Sequence, residues 1–223
     1  MSEYVGLDVS MEETSVCVMN AAGEMLWEGK VQTEPGALVR VLHRRAPAAV
    51  KVGLETGPLS TWLWHALREA EVPVVCLDAR QAQAALSMRI NKTDRNDAVG
   101  LAQLVRMGWY REVQVKRLAT HVDHALLASR ALLVKQRCEL ENQIRGLLKN
   151  FGLKVRATKG RAFAQSVAAL ADKQPLLRTM VLALLTAWAS LRLQIAVLSR
   201  SIQREAARSP VCRRLMTMAG VGR

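Results

Sequence analysis

An α/β domain with a mixed sheet, followed by an all-α coiled-coil region, is the fold class that this 223-residue chain predicts. Two observations lead there. Short apolar segments separated by turn residues fill the start of the chain, whereas heptad-spaced leucines dominate its second half. Charge divides in the same way: residues 1–100 carry 10 Lys and Arg against 13 Asp and Glu, and residues 101–223 carry 22 against 6.

Tyr4-Val5-Gly6-Leu7-Asp8-Val9 is apolar around one acid and ends at a polar cluster, which predicts a first strand. Residues 14–19 alternate, with Val16 and Val18 on one side. Asn20-Ala21-Ala22-Gly23 is a turn, and residues 24–31 resume extended character. Two short connections between three strands predict an antiparallel meander. Pro35 opens a helix with Leu38, Val39, Val41 and Leu42 at helical spacing. Residues 49–54 read as a buried strand, Gly57-Pro58 starts a helix bearing Leu59, Leu63, Ala66 and Leu67, and residues 72–77 read as a fifth strand. From Asp78 onward the pattern is helical. Three strands followed by alternating helix and strand is the order of a ribonuclease-H-like domain.

The second half differs in kind. Leu126, Leu133, Leu140 and Leu147 recur every seven residues, backed by Leu132, Ile144 and Leu148. Leu177, Val181, Leu184, Trp188, Leu191, Ile195, Leu198 and Ile202 alternate spacings of four and three, an a/d seam. Between the seams lie Asn150-Phe151-Gly152, a basic linker over 154–161 and a short helix. The pattern predicts two long helices forming either an antiparallel hairpin or a dimeric coiled coil.

The longest apolar run, 180–191, contains Thr186 and Ser190 and is bounded by Arg178 and Arg192. A bilayer span needs about 20 apolar residues, so the run predicts a buried helix face and no membrane partner. The N-terminus has neither a basic leader segment nor a cleavable apolar stretch, which argues for the cytoplasm. Cys17, Cys76, Cys138 and Cys212 form no C-x-x-C pair, so they are expected to be reduced core residues and not zinc ligands.

The net charge of +13 resides in the second half and attracts polyanions, nucleic acid above all. Aromatic residues make up only 4% of the chain, so phosphate contact by Lys and Arg is expected in preference to base stacking. The predicted contacts are Lys92 and Arg95 beside the acids described next, then Arg130, Lys135, Arg137, Arg145 and Lys149. Lys154, Arg156, Lys159 and Arg161 in the basic linker complete them.

Asp8 lies near the end of the first predicted strand and Glu55 at the end of the fourth. In a ribonuclease-H-like sheet these strands are neighbours, so the two carboxylates can meet. Asp94 and Asp97, in Lys92-Thr93-Asp94-Arg95-Asn96-Asp97-Ala98, are three apart and share a face if a helix starts near Thr93. Converging carboxylates repel and need a cation, and hard oxygen ligands favour Mg²⁺ or Mn²⁺. Two such ions about 4 Å apart serve phosphodiester chemistry. Each acid also has a plainer reading: Asp94 and Asp97 as helix N-terminal acids beside a Thr93 cap, Asp8 in a turn, Glu55 capping the next helix.

Gly6-Leu7-Asp8-Val9-Ser10, Gly53-Leu54-Glu55-Thr56-Gly57 and the 92–98 segment together resemble the DEDD transposases of the insertion sequence 110 family, the bridge-RNA-guided recombinases. Residues 130–148, with Arg137, Glu141, Asn142, Arg145 and Leu147-Leu148, look like that family's helical region. The resemblance implies a RuvC-like domain over 1–112 whose metal-binding and catalytic tetrad is Asp8, Glu55, Asp94 and Asp97. It further implies a dimerising coiled coil over 113–209 and strand exchange on DNA guided by a structured RNA. The family continues into a domain bearing a nucleophilic serine. Residues 210–223 resemble the opening of that domain, so the chain is expected to be truncated and inactive in recombination alone.

Two other classes are open. A non-catalytic nucleic-acid binder that pairs with full-length transposase needs only the basic helices. An actin-like or sugar-kinase-like ATPase also begins with a Gly-x-Asp strand, but neither its second phosphate loop nor a G-x-x-x-x-G-K-[ST] loop is present.

Overall fold

The computed structural model describes residues 2–86, 94–156, 159–172 and 174–220, with backbone alone for 85, 86, 94 and 95. The chain divides into two compact units, Met1–Leu118 and Ala119–Arg223.

The first unit contains β1 (Glu3–Val9), β2 (Glu13–Asn20), β3 (Met25–Gln32), α1 (Pro35–Arg45), β4 (Ala49–Glu55), α2 (Ser60–Glu69), β5 (Val74–Leu77), α3 (Ala79–Leu86) and α4 (Asp94–Met107). The sheet order is β3-β2-β1-β4-β5. The β1–β2 and β2–β3 pairs are antiparallel, and the β1–β4 and β4–β5 pairs are parallel. A meander feeding parallel crossover strands is the ribonuclease-H-like arrangement that the element order predicts.

Strand alternation assigns the two faces. Val5, Leu7, Val16, Val18, Val52 and Leu54 bury one face with Leu38 and Leu42 of α1 and Leu63 and Leu67 of α2. On the other face, Cys17 and Met19 meet Ala98 and Ala102 of α4, and Leu77 meets Leu101 and Val105. The interior strand β2 is covered on both sides, so six consecutive residues from Thr14 to Met19 are buried. The predicted one-sided alternation there is true of the direction of Val16 and Val18 but not of exposure.

The second unit contains α5 (Leu118–Lys149), which begins at the last residue of the first unit, then α6 (Gly160–Ala171), α7 (Pro175–Arg208) and α8 (Pro210–Leu215). Pro175 starts α7 in the first turn, where no N–H partner is missed. Ser209 ends α7: preceding Pro210, it is held extended, and its hydroxyl accepts from the Cys212 amide at 3.3 Å to cap α8.

Two hydrogen bonds fix the direction of the long helices. Arg130 Nε donates to Ser199 Oγ at 2.8 Å, and Trp188 Nε1 donates to Glu141 Oε1 at 2.8 Å. Advancing along α5 means retreating along α7, so of the two predicted arrangements this chain forms the antiparallel hairpin. Its core joins Ile144 and Leu148 of α5, Phe163, Val167 and Ala171 of α6, and Leu177, Val181, Leu185 and Trp188 of α7.

Three expectations are corrected here. Leu132 does not back the first seam but is 54% exposed. The second seam is deeply buried only at Leu177, Val181 and Trp188, in the half that α6 covers; Leu184, Leu191, Ile195, Leu198 and Ile202 are half-buried. The 180–191 run is not a wholly buried face, since Met180 and Leu182 are exposed beside buried Val181 and Leu185. Among the described residues, α7 is also the one helix long and apolar enough, by length and composition, to cross a membrane.

Candidate active site

Asp8 lies on β1 and Glu55 closes β4. These parallel strands pair Gly6 with Gly53 and Leu7 with Leu54, so one further step sets Asp8 beside Glu55. Adjacent strands lie about 4.8 Å apart. Alternation places both acids on the face shared by Gly6 and Gly53.

That face is occupied by α4, and the glycines let it approach. A Cβ on Gly6 would strike the Ala98 carbonyl oxygen and the Ala102 amide nitrogen. One on Gly53 would strike Val105 Cγ1 and lie 3.2 Å from Leu77 Cδ1. Further along α4, Arg106 Nη1 donates at 3.1 Å to the Ala21 carbonyl in the β2–β3 turn, at the end of the sheet away from Asp8. With Ala98 over Gly6 and Arg106 at that turn, α4 runs back along β1. Its first turn therefore points to the end of the sheet that carries Asp8 and Glu55. Asp94 begins α4, and Asp97 lies in its first turn, half-buried.

The strand ends that carry the acids are tied down. Thr33 donates its hydroxyl to the Ser10 carbonyl at 2.9 Å, and the Thr14 and Thr33 hydroxyls meet at 2.9 Å in the interior. Past Glu55, the Thr56 amide donates to the Leu77 carbonyl at 2.9 Å, and Thr56 Oγ1 accepts from the Ala79 amide at 3.0 Å. Glu55 does not cap the next helix: α2 has Leu59 at its N-cap and no side-chain cap bond. Both Asp8 and Glu55 are half-buried.

Four carboxylates form a hard donor set of the kind Mg²⁺ and Mn²⁺ take. Among the described residues, however, no three His, Cys, Asp or Glu side chains gather into a metal-holding group. Asp8, Glu55 and Asp97 do not make such a group by themselves, and the Asp94 side chain that completes the predicted set lies outside the described residues. Lys92 and Thr93 also lie outside them, and Arg95 is described by backbone alone.

The other predicted nucleic-acid contacts fall into two groups. Arg130, Arg137 and Arg145 have partners within the helical unit. Arg130 bonds Ser199, Arg137 lies 3.6 Å from Glu141, and Arg145 stacks on Phe163 at 4.8 Å while donating to the Arg156 carbonyl at 3.3 Å. Lys135, which lies 3.9 Å from Glu139, and Lys149, Lys154, Arg156, Lys159 and Arg161 are exposed. Sequence reasoning missed the positional importance of Gly6 and Gly53. Their signal is the glycine two residues before each strand-end acid.

Comparison with known proteins gives three results. The family model for DEDD transposases of the insertion sequence 110 type, described as "Transposase", matches residues 5–152. A curated relative, "Transposase for insertion sequence element IS1111A" of Coxiella burnetii, is 24% identical over 228 residues, covering 99% of this chain. The chain spans 60% of that relative's length. Among solved structures, Thermus thermophilus RuvC aligns at 18% identity and a TM-score of 0.39, covering 50% of this chain and 99% of that one. T. thermophilus RuvC in complex with a Holliday junction substrate aligns at 16% identity and 0.39, covering 51% and 100%.

Proposed function

Because the chain belongs to the DEDD transposases of the insertion sequence 110 family, we propose that its sheet unit is the phosphodiester-directed part of a site-specific DNA recombinase. Asp8, Glu55, Asp94 and Asp97 hold Mg²⁺ or Mn²⁺ in this reading. The observation that carries it is the placement of Asp8 and Glu55 at neighbouring parallel strand ends, beneath a helix whose first turn bears Asp94 and Asp97. When bound, a pair of such ions supplies activation of the attacking oxygen and stabilisation of the leaving one. The chain's own residues do the rest. Ionised carboxylates offer only acceptor oxygens, Gly6 and Gly53 set the height of α4 above them, and the threonine bonds fix the strand ends.

The helical unit holds the nucleic acids, DNA and a structured guide RNA, through Lys135, Lys149, Lys154, Arg156, Lys159 and Arg161. Exposed cations and few aromatics suit a protein that grips backbone and leaves base choice to RNA pairing. Exposed apolar residues on α5 and α7, Leu132, Leu176 and Met180 among them, support self-association through the hairpin. In this reading α7 is a packing helix of a cytoplasmic protein. The Trp188–Glu141 bond and the buried Leu177, Val181 and Leu185 support that over a membrane span.

The test is metal-dependent stabilisation. Mn²⁺ raises the Tm of the wild-type first transition, and Asp8→Asn and Glu55→Gln each abolish the rise, since binding to the native state adds RT ln(1 + [L]/Kd). An undiminished rise in both variants sinks the assignment and leaves the chain a nucleic-acid binder without a metal site.

A further inference from the structure

We infer that the second half of α7, with α8, is a separate docking face for the phosphate backbone of double-stranded DNA, with Arg200, Arg204 and Arg208 as its contacts. It extends the nucleic-acid reading above to residues outside the set named there.

Charge is the first observation. Between residues 192 and 214 the chain carries six arginines, no lysine and one acid, Glu205. Arginine's planar fork matches phosphate oxygens bidentately, whereas lysine offers a point charge. Arg200, Arg204 and Arg208 are all exposed, and Arg213 and Arg214 follow on α8.

Spacing is the second. The three arginines recur at every fourth residue of one continuous helix, so each lies about 6 Å beyond the last and the outer two are about 12 Å apart along the axis. That span equals the roughly 12 Å width of the B-DNA major groove, so the stripe can reach phosphates on both of its rims. In A-form RNA the major groove is deep and narrow, and the minor groove is wide but shallow, so a helix does not seat between phosphate rims there as it does in the B-DNA major groove. No aromatic residue follows Trp188, so stacking on single-stranded bases has no platform here.

Shape is the third. Arg200 and Arg204 line, with Val197, Gln203 and Ala207, a shallow groove of about 530 Å³. Their present partners are easily exchanged. Arg204 donates to Ser201 Oγ at 3.1 Å, and Arg208 pairs with Glu205 at 3.2 Å, both on the exposed surface. Exposed pairs of that kind contribute little to stability.

The test is the salt dependence of duplex binding by the full chain, read by fluorescence anisotropy. Each phosphate contact adds about 0.9 to the slope of log Kobs against log [salt] on B-DNA. The triple variant Arg200→Gln, Arg204→Gln, Arg208→Gln is expected to lower the slope by about 2 to 3 on a DNA duplex, and to change it by less than about 1 on an RNA hairpin of equal length. The triple lysine variant keeps the wild-type slope, because counterion release follows charge. An unchanged slope in the glutamine variant overturns the proposal, as does an equal loss on RNA or a lysine variant that fails like the glutamine one. Circular dichroism reports whether α7 survives in each. The Mn²⁺ response of the Asp8 site is unaffected in all of them, so failure here is distinct from failure of the metal assignment.

Discussion

Gly6 and Gly53 occupy equivalent places, two residues before Asp8 and Glu55, yet they tolerate change differently. At Gly6 an added methyl group meets backbone atoms of Ala98 and Ala102, which cannot yield without lifting α4. At Gly53 it meets side-chain atoms of Val105 and Leu77, which yield at less cost than backbone even though β-branched Val105 is stiff within α4. Gly6→Ala is therefore expected to lower stability by about 3 kcal/mol and Gly53→Ala by about 1 kcal/mol, read as shifts of the urea midpoint at constant m. Equal losses would mean that α4 does not rest on Gly6. The Gly-x-acid spacing is plain in the sequence, but its reason is not, because only the helix on the far side of the strand explains why a side chain is excluded. Cys76 makes a second residue-scale case. Burial, reinforced by the charge of Glu112, pushes its thiol up from 9.0 to about 11. The unfolded thiol ionises first as pH rises, so the folded unit loses relative stability between pH 9.0 and about 11. Cys76→Ala is expected to flatten the decline of stability across that window in alkaline denaturation curves. An identical decline in both proteins would refute the burial argument.

At the scale of elements, α5 and α7 show how far periodicity reaches. Heptad spacing correctly marks which stripe of each helix is apolar, but it cannot say what covers the stripe. Here α6 returns over the first half of α7 only, so Trp188 is buried while Leu193 is 60% and Val197 39% exposed. The same limit applies to cations: Arg130, Arg137 and Arg145 look like surface charges until the hairpin register gives them Ser199, Glu141 and Phe163 as partners. That register is itself testable. Trp188→Phe keeps most of the ring packing against Phe163 but removes the donor to Glu141. It is expected to lower the stability of the helical unit by about 1 to 2 kcal/mol, with Glu141→Ala costing less in the Trp188→Phe background than in the wild type. Full additivity in this double-mutant cycle would show that the two side chains do not interact. The apolar residues left bare bear on assembly. If the hairpin self-associates, Leu176→Glu with Met180→Glu puts two charges where that contact would bury them, and sedimentation is expected to show a shift to monomer. A wild-type chain already monomeric at tens of micromolar, by rough reckoning from a weak interface, would remove the hairpin as a dimerising surface.

Across the whole molecule, the division of charge follows the division of structure more sharply than any cut through the sequence suggests. Residues 1–118 carry 14 Lys and Arg against 14 Asp and Glu, and residues 119–223 carry 18 against 5. The sheet unit is formally neutral and the helical unit holds the entire +13. Sequence alone reveals the asymmetry but blurs its boundary. The charge count is cut at residue 100 and the helical region is expected from 113, whereas in the fold residues 101–107 finish α4 and the chain then runs along the edge of β5, where the Val113 amide donates to the Cys76 carbonyl at 2.8 Å. Such a partition assigns work. In the proposed reading, long-range attraction and grip on phosphate belong to the unit with the field. Salt titration separates the two contributions, because counterion release counts phosphate contacts wherever they are made. Each unit has its own buried core, so the pieces 1–118 and 119–223 can be measured beside the full chain. On a DNA duplex, 119–223 is expected to reproduce the full-chain slope to within about 2, and 1–118 to show a slope of no more than about 2, the share of Lys92 and Arg95. A slope of several units in 1–118 would mean that the sheet unit grips phosphate itself, and that the helical unit's charge serves something other than binding DNA.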